Sequence, residues 1–330
     1  MNKAIFFIFV LLSFISNSQN FDISMNVSKA DLAIKTFNED PNAEAIMIYD
    51  YGNTYYNKET WRLNFELKQK FKILTKDGLE RGQKEIPLYI GKNSKESISD
   101  ISATVYNLEN DEIVVSKIAE DAIYEEKNEN FKIVKLVLPN VKVGSIITLS
   151  YTKSSPFVNK YQPWYFQSDI PVLYSEYNAS IPGNYEYNIK LVGSLPLDIN
   201  TSDIEYNCLE AGGGASANCA IYRYVMTNIP AYRQEKYTTS ANNYLSRIEY
   251  ELSVIRQFNG EVEKLTKSWD DVDKELKSDS NFGRQVSKEK LVKDVLPKNI
   301  RAEPWASRSD QRPTKTWCAM TMPVWVLWTK

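Results

Sequence analysis

Apolar and polar side chains alternate with a period of two over much of the chain, the pattern of strands that bury one face. Trp61, Leu63, Phe65 and Leu67 alternate with polar residues, and Ala45-Ile46-Met47-Ile48-Tyr49 reads as a buried strand closed by Gly52-Asn53. Further strands are predicted over 71–74, 102–108, 113–115, 131–138, 146–151, 185–192, 220–226 and 248–255. Turn dipeptides punctuate them at Asp77-Gly78, Asn110-Asp111 and Pro182-Gly183.

Helical spacing is confined to the two ends of this region. Ser28-Lys29-Ala30-Asp31 has the form of a capping box, and Leu32, Ala33 and Phe37 would share one face of a short helix that ends before Asp40-Pro41. Ser268-Trp269-Asp270-Asp271 repeats the box, with Trp269, Val272 and Leu276 spaced along one face. Leu291, Val292 and Val295 suggest another helix, stopped by Pro297. There is no strand-helix-strand alternation and no internal repeat. The expected fold is therefore mainly β: an antiparallel β-sandwich with a short N-terminal helix and C-terminal helices leading toward a missing domain.

The first residues fit none of this. One Lys, an apolar run from Ala4 to Ile15 and the small residues Ser16-Asn17-Ser18 make a secretory signal peptide, cut between Ser18 and Gln19. The run is too short to span a hydrocarbon core, so no transmembrane anchor is expected after cleavage. Export places the protein in the periplasm or outside the cell, where disulfides persist. Cys208 and Cys219 flank a Gly-rich tip and are the expected pair. No Lys-Ser/Thr follows the triple glycine, so it is not a phosphate loop.

Charge and composition then narrow the chemistry. With 40 basic against 42 acidic side chains and no local basic cluster, nucleic acid is not an expected partner. The chain has no His, which removes Ser-His-Asp and Cys-His catalysis and His-ligated zinc. No cofactor or metal is called for. Asp270, Asp271 and Asp273 lack the spacing of a calcium loop and are better explained as charges at a helix N-terminus. Glu125, Glu126 and Glu129 read as a solvated run beside Lys127 and Lys132. Four of the seven Trp fall within 302–330, an abrupt change of character that suggests a frameshifted tail.

Several spaced segments carry a resemblance. They are Asp40-Pro41-Asn42-Ala43-Glu44-Ala45, Leu138-Pro139 followed by Gly144-Ser145-Ile146-Ile147, Trp164-Tyr165-Phe166-Gln167 with Pro171, Pro230-Ala231-Tyr232, Tyr237, Tyr244-Leu245-Ser246-Arg247-Ile248, Trp269 and Phe282-Gly283. In order and spacing they resemble a domain-of-unknown-function family (domain of unknown function 3857) found in secreted Bacteroidota proteins upstream of a transglutaminase-like, papain-fold domain. The resemblance runs from about residue 25 to 300. It implies a β-sandwich placed before a catalytic domain, and it carries over no catalytic residue. Cys318, in Lys315-Thr316-Trp317-Cys318-Ala319-Met320, lacks a matching nucleophile context and an imidazole to activate it.

The expected organisation is then a signal peptide over 1–18, a β-sandwich over 19–260, a helical linker or the start of a transglutaminase-like domain over 261–301, and the Trp-rich tail over 302–330. The expected function is that of an exported, non-catalytic accessory module that positions a downstream domain or contacts cell-envelope material. The alternative is a free-standing module that binds glycan or peptide through surface aromatics. Aromatics cluster at Tyr49, Tyr51, Tyr55 and Tyr56 and at Phe157, Tyr161, Trp164, Tyr165 and Phe166; Tyr55, Tyr56, Tyr161, Trp164 and Tyr165 are the candidate ligand surface. An exposed row of three or more coplanar rings would favour the binding module. Buried aromatics with an apolar patch near Trp269 would favour the accessory role.

Overall fold

The computed structural model describes residues 21–286 except 93, 213, 214, 266 and 267. The expected signal peptide, the helix expected around Leu291, Cys318 and the Trp-rich tail lie outside the described residues. The chain divides into two units between Thr266 and Lys267.

The first unit opens with α1 (Lys29–Ala33), whose capping box is complete: Ser28 Oγ accepts from the Asp31 N–H at 3.0 Å, and the Asp31 carboxylate accepts from the Ser28 N–H. The helix stops at Ile34, earlier than the spacing of Phe37 suggests, yet Leu32 and Phe37 are both buried. The strands are β1 (Ala45–Asn57), β2 (Arg62–Ile73), β3 (Gln83–Tyr89), β4 (Ser97–Glu109), β5 (Glu112–Lys117), β6 (Ile123–Lys127), β7 (Phe131–Val137) and β8 (Ile146–Ser155). Then come β9 (Trp164–Tyr165), β10 (Val172–Pro182), β11 (Tyr185–Val192), β12 (Ile199–Gly212), β13 (Ala215–Ile229), β14 (Arg247–Arg256) and β15 (Val262–Lys264). Pairing of β14 with β15 extends the β-region past the expected boundary at 260.

Eight strands form one sheet in the order β12-β13-β10-β1-β2-β8-β4-β5. Two smaller sheets, β3-β7-β6 and β11-β14-β15 with β9 on β14, add side chains to a single buried cluster with one face of the large sheet. The architecture is a layered, mainly antiparallel β-fold, as expected, with one parallel pair, β1 and β10, at the middle of the large sheet. On the opposite face, Phe21, Phe37, Ala43, Ile46, Ile48 and Leu74 form a smaller core under the N-terminal segment.

Local chemistry explains the details. At the tip between β4 and β5, Asn110 and Asp111 both adopt positive φ, 50° and 61°, as a two-residue turn matching strand twist requires. Gly52 does not close β1; the strand runs five residues past it. The reason is packing: a Cβ there would fall inside the Trp164 ring, so only Gly lets the indole lie on the strand. The most buried charges also sit on the large sheet. Lys70, fully inaccessible, binds Asp31 at 3.1 Å and the Asp22 carbonyl at 2.9 Å, tying the N-terminal segment to β2.

The second unit begins with α2 (Trp269–Ser278), again with a complete capping box from Ser268 and Asp271, and continues into α3 (Gly283–Val286). Trp269, Leu276 and Phe282 are exposed, Trp269 at 88%.

Candidate functional site

β1 is two-faced, and its alternation builds the site. Asp50, Gly52, Thr54 and Tyr56 point inward and are buried, while Tyr49, Tyr51, Asn53 and Tyr55 point outward and remain half-buried. A bulge between Met47 and Tyr49 sets this phase. Strand register then decides the neighbours of each outward residue. Tyr51 stands between Lys68 of β2 and Glu176 of β10, and Asn53 stands between Glu66 and Asn178.

Three tyrosines on this outer face lie parallel. The Tyr49 and Tyr51 ring centroids are 6.2 Å apart and those of Tyr49 and Tyr174 5.7 Å, with both interplanar angles 3°. The Lys68 ammonium sits 5.5 Å from the Tyr51 centroid, a cation–π distance. Glu176 is saturated with donors. Arg223 grips it in a fork, Nε to Oε1 at 3.0 Å and Nη2 to Oε2 at 2.9 Å; Asn178 donates at 2.9 Å, and the Tyr174 hydroxyl donates as well. Burial alone would raise the Glu176 carboxyl, but those bonds outweigh it and hold the group below the ordinary range. Burial and the adjacent carboxylate push the Tyr174 phenol up to about 12, and burial first, then Glu176, raises Tyr49. Both phenols are neutral donors at physiological pH.

The row leads into a cleft of about 560 Å³ at the far end of β1, with Asn53, Tyr55, Asn178, Ser180, Lys58 and Glu205 on its walls and Cys208 and Cys219 at its side. Tyr55 donates to Glu66 at 3.0 Å. The two cysteines lie at disulfide distance, with Cα atoms 5.7 Å apart, and both are buried. The Gly-rich hairpin of β12 and β13 is thereby stapled beside the cleft.

The structure distributes the expected ligand surface differently. Tyr56, Tyr161 and Trp164 belong to the core between sheets, where Trp164 stacks on Tyr177 at 5.3 Å and Tyr161 meets Tyr187 at 5.1 Å. Rings this size pay off most when fully buried, and the sheet interior is where period-two alternation sends them. Tyr165 is exposed under Arg247, apart from the outer row, and Tyr55 alone of the five joins it. The residues that sequence reasoning missed are Tyr174, Glu176 and Arg223. The alternation Tyr49, Tyr51, Asn53, Tyr55 was visible; the parallel pairing that brings β10 beside it was not.

On the inner side, Asp50 accepts from Gln69 Nε2 at 2.8 Å and from Ser175, whose hydroxyl takes the Trp164 indole N–H at 3.0 Å. Burial raises this carboxyl to about 6 despite those bonds and the nearby Lys84. A second cleft, about 600 Å³, opens nearby, but its Arg81 is already clasped by Glu44 at 2.6 Å and Asp169 at 2.5 Å. No helix of the described residues is long and apolar enough to cross a membrane.

Comparison with known proteins adds a family to this geometry. Residues 62–210 match the family described as Domain of Unknown Function with solved-structure structure, DUF3857. It is the family the sequence resembles. The DUF3857 match begins at β2, so α1 and the whole of the tyrosine-bearing β1 precede it. The crystal structure of a "putative protease" from Parabacteroides distasonis ATCC 8503, at 2.00 Å resolution, shares the fold with a TM-score of 0.52 over 78% of this chain, at 14% identity. The match covers 48% of that protein, so this chain spans about half its length. No curated protein matches the sequence.

Proposed function

We propose that this chain supplies an exported, non-catalytic β-module to a larger protein whose other part is a transglutaminase-like or peptidase-like domain, and that the module holds that domain against cell-envelope material. The observation that carries the reading is the unequal coverage. Most of this chain, 78%, is accounted for by less than half, 48%, of a protein called a putative protease, which leaves a comparable length of that protein for other structure. The exposed Trp269, Leu276 and Phe282 in the second unit support it, because solvent-facing apolar side chains in a cluster of sequence mark surfaces that other domains cover. The test is to sequence the coding DNA across and beyond codon 300 in all frames. A continuing frame with Cys, His and Asp in a papain-like order is expected, and its absence in every frame refutes the reading. In parallel, the purified chain is expected to show no hydrolysis of fluorescein-casein and no amine transfer to a glutamine peptide; turnover in either assay rejects the non-catalytic role.

A second reading, a module that binds glycan or peptide by itself, is favoured by one observation. The parallel rings of Tyr49, Tyr51 and Tyr174 stand on an outer sheet face with hydrogen-bonding side chains beside them.

A further inference from the structure

We infer that the outer face of β1 and β10, from Tyr174 and Tyr49 through Tyr51 to the cleft at Asn53 and Asn178, is a binding track for a neutral saccharide chain. The inference rests on the second reading, that this face binds a ligand, and names the ligand class; it does not depend on a downstream domain.

The rings come first. Sugar rings present faces of C–H groups that pack flat on aromatic rings, while their hydroxyls need donors and acceptors at the edge. Tyr49, Tyr51 and Tyr174 supply three parallel, half-buried rings, offset-stacked with centroids 5.7 and 6.2 Å apart, so that each offers the solvent the part of its face its neighbour leaves uncovered. Their orientation is fixed by strand register and, for Tyr174, by its hydrogen bonds with Glu176 and Arg223. Little side-chain freedom is left to lose on binding, which favours recognition by a rigid surface.

Charge selects the ligand. The accessible charged side chains beside the three rings are Lys68 and Arg223 against Glu66 and Glu176, two of each sign; Lys70, opposite Tyr49, is buried on Asp31. Each has an internal partner: Glu176 with Arg223, Glu66 with Tyr55 and Asn53, and Lys68 over Tyr51. The Lys58 and Glu205 pair at the cleft, 3.5 Å apart, cancels in the same way. An anionic polymer meets a carboxylate wherever it meets a cation here, and a basic peptide meets the reverse. A neutral, hydroxyl-rich chain meets neither conflict. Forked Arg223, the amides of Asn53 and Asn178 and the Tyr55 hydroxyl are donors and acceptors of the kind that saccharide hydroxyls use. The track along β1 from Tyr49 to Asn57 extends about 27 Å at 3.4 Å per residue, a length suited to an oligosaccharide.

The experiment is affinity electrophoresis and titration calorimetry of the full chain. The probes are cellohexaose, maltohexaose, mannohexaose and chitohexaose, with polygalacturonate and a tryptic digest of casein as the anionic and peptide arms. At least one neutral hexasaccharide is expected to bind with a Kd below 1 mM. Tyr49→Ala, Tyr51→Ala and Tyr174→Ala are each expected to weaken it about tenfold or more, while Tyr51→Phe, which keeps the ring, stays within about threefold. Circular dichroism and thermal unfolding establish that each variant is folded, and Tyr165→Ala, on β9 in a different sheet from the track, should bind as the parent does. Absence of binding to every neutral probe at 10 mM overturns the proposal, as does equal binding by the three alanine variants. Tyrosine-dependent binding of casein peptides or polygalacturonate alone overturns the ligand class while leaving the face as a binding surface. None of these outcomes alters the result of the DNA test for an accessory role.

Discussion

Asp50→Asn tests the physical account of the central strand most directly. The carboxyl is 7% exposed, and burial lifts it to about 6 against an ordinary value near 3.9. A difference of about two units corresponds to about 3 kcal/mol between protonation states. The sign follows from proton counts. Between about pH 4 and pH 6 the unfolded chain has released a proton that the folded chain still holds, so raising the pH favours unfolding. The stability contributed by the protonated group is whole below about pH 4 and is lost as pH rises through about 6. Of that loss, about 2 kcal/mol falls between pH 4 and pH 7. Asparagine preserves the shape and still accepts the 2.8 Å bond from Gln69, but it cannot titrate. Urea unfolding followed by tryptophan fluorescence at pH 4, 5, 6 and 7 gives the stability of both proteins. The wild-type value minus the variant value should fall by about 2 kcal/mol over that range. Subtraction removes Glu176, whose depressed carboxyl works in the opposite direction. A difference independent of pH, or one that grows with pH, means that Lys84 keeps Asp50 ionised in the fold and refutes the reasoning.

Three further outcomes follow from the packing. Gly52→Ala places a methyl within the Trp164 indole and should cost about 1–3 kcal/mol through overpacking; an unchanged melting temperature would show that the ring is not seated on β1. Lys70→Met leaves the buried Asp31 carboxylate without its cation and should lower stability by about 3–5 kcal/mol, whereas a loss under 1 kcal/mol in urea would mean that water reaches the pair. Reduction of the Cys208 and Cys219 pair, 11 residues apart, should remove about 3 kcal/mol by freeing the unfolded hairpin; intact-mass measurement after alkylation without reductant, showing both thiols modified, would disprove the bond.

Local sequence chemistry reached the fold where one segment decides its own structure. The capping boxes at Ser28 and Ser268, the Asn110-Asp111 turn and the strand over 185–192 depend on neighbours a few residues apart, and all appear in the structure. Gly52 misled because a glycine in a strand can mark either an end or a close approach. Only Trp164, 112 residues away in sequence, distinguishes the two. The aromatic residues show the same division at the level of the site. Alternation along β1 separates Tyr49, Tyr51 and Tyr55 from Tyr56 without saying which set faces the core. That choice depends on the Met47 to Tyr49 bulge and on which sheets cover which face. Once Tyr161, Trp164 and Tyr177 are drawn into the interior, the outward set is left, among the described residues, half-buried at the surface, and β10 arrives in parallel to add Tyr174 and Glu176 beside it. A surface built by long-range pairing of β1 with β10 has no contiguous motif, and for that reason its chemistry emerges from register rather than from any stretch of sequence.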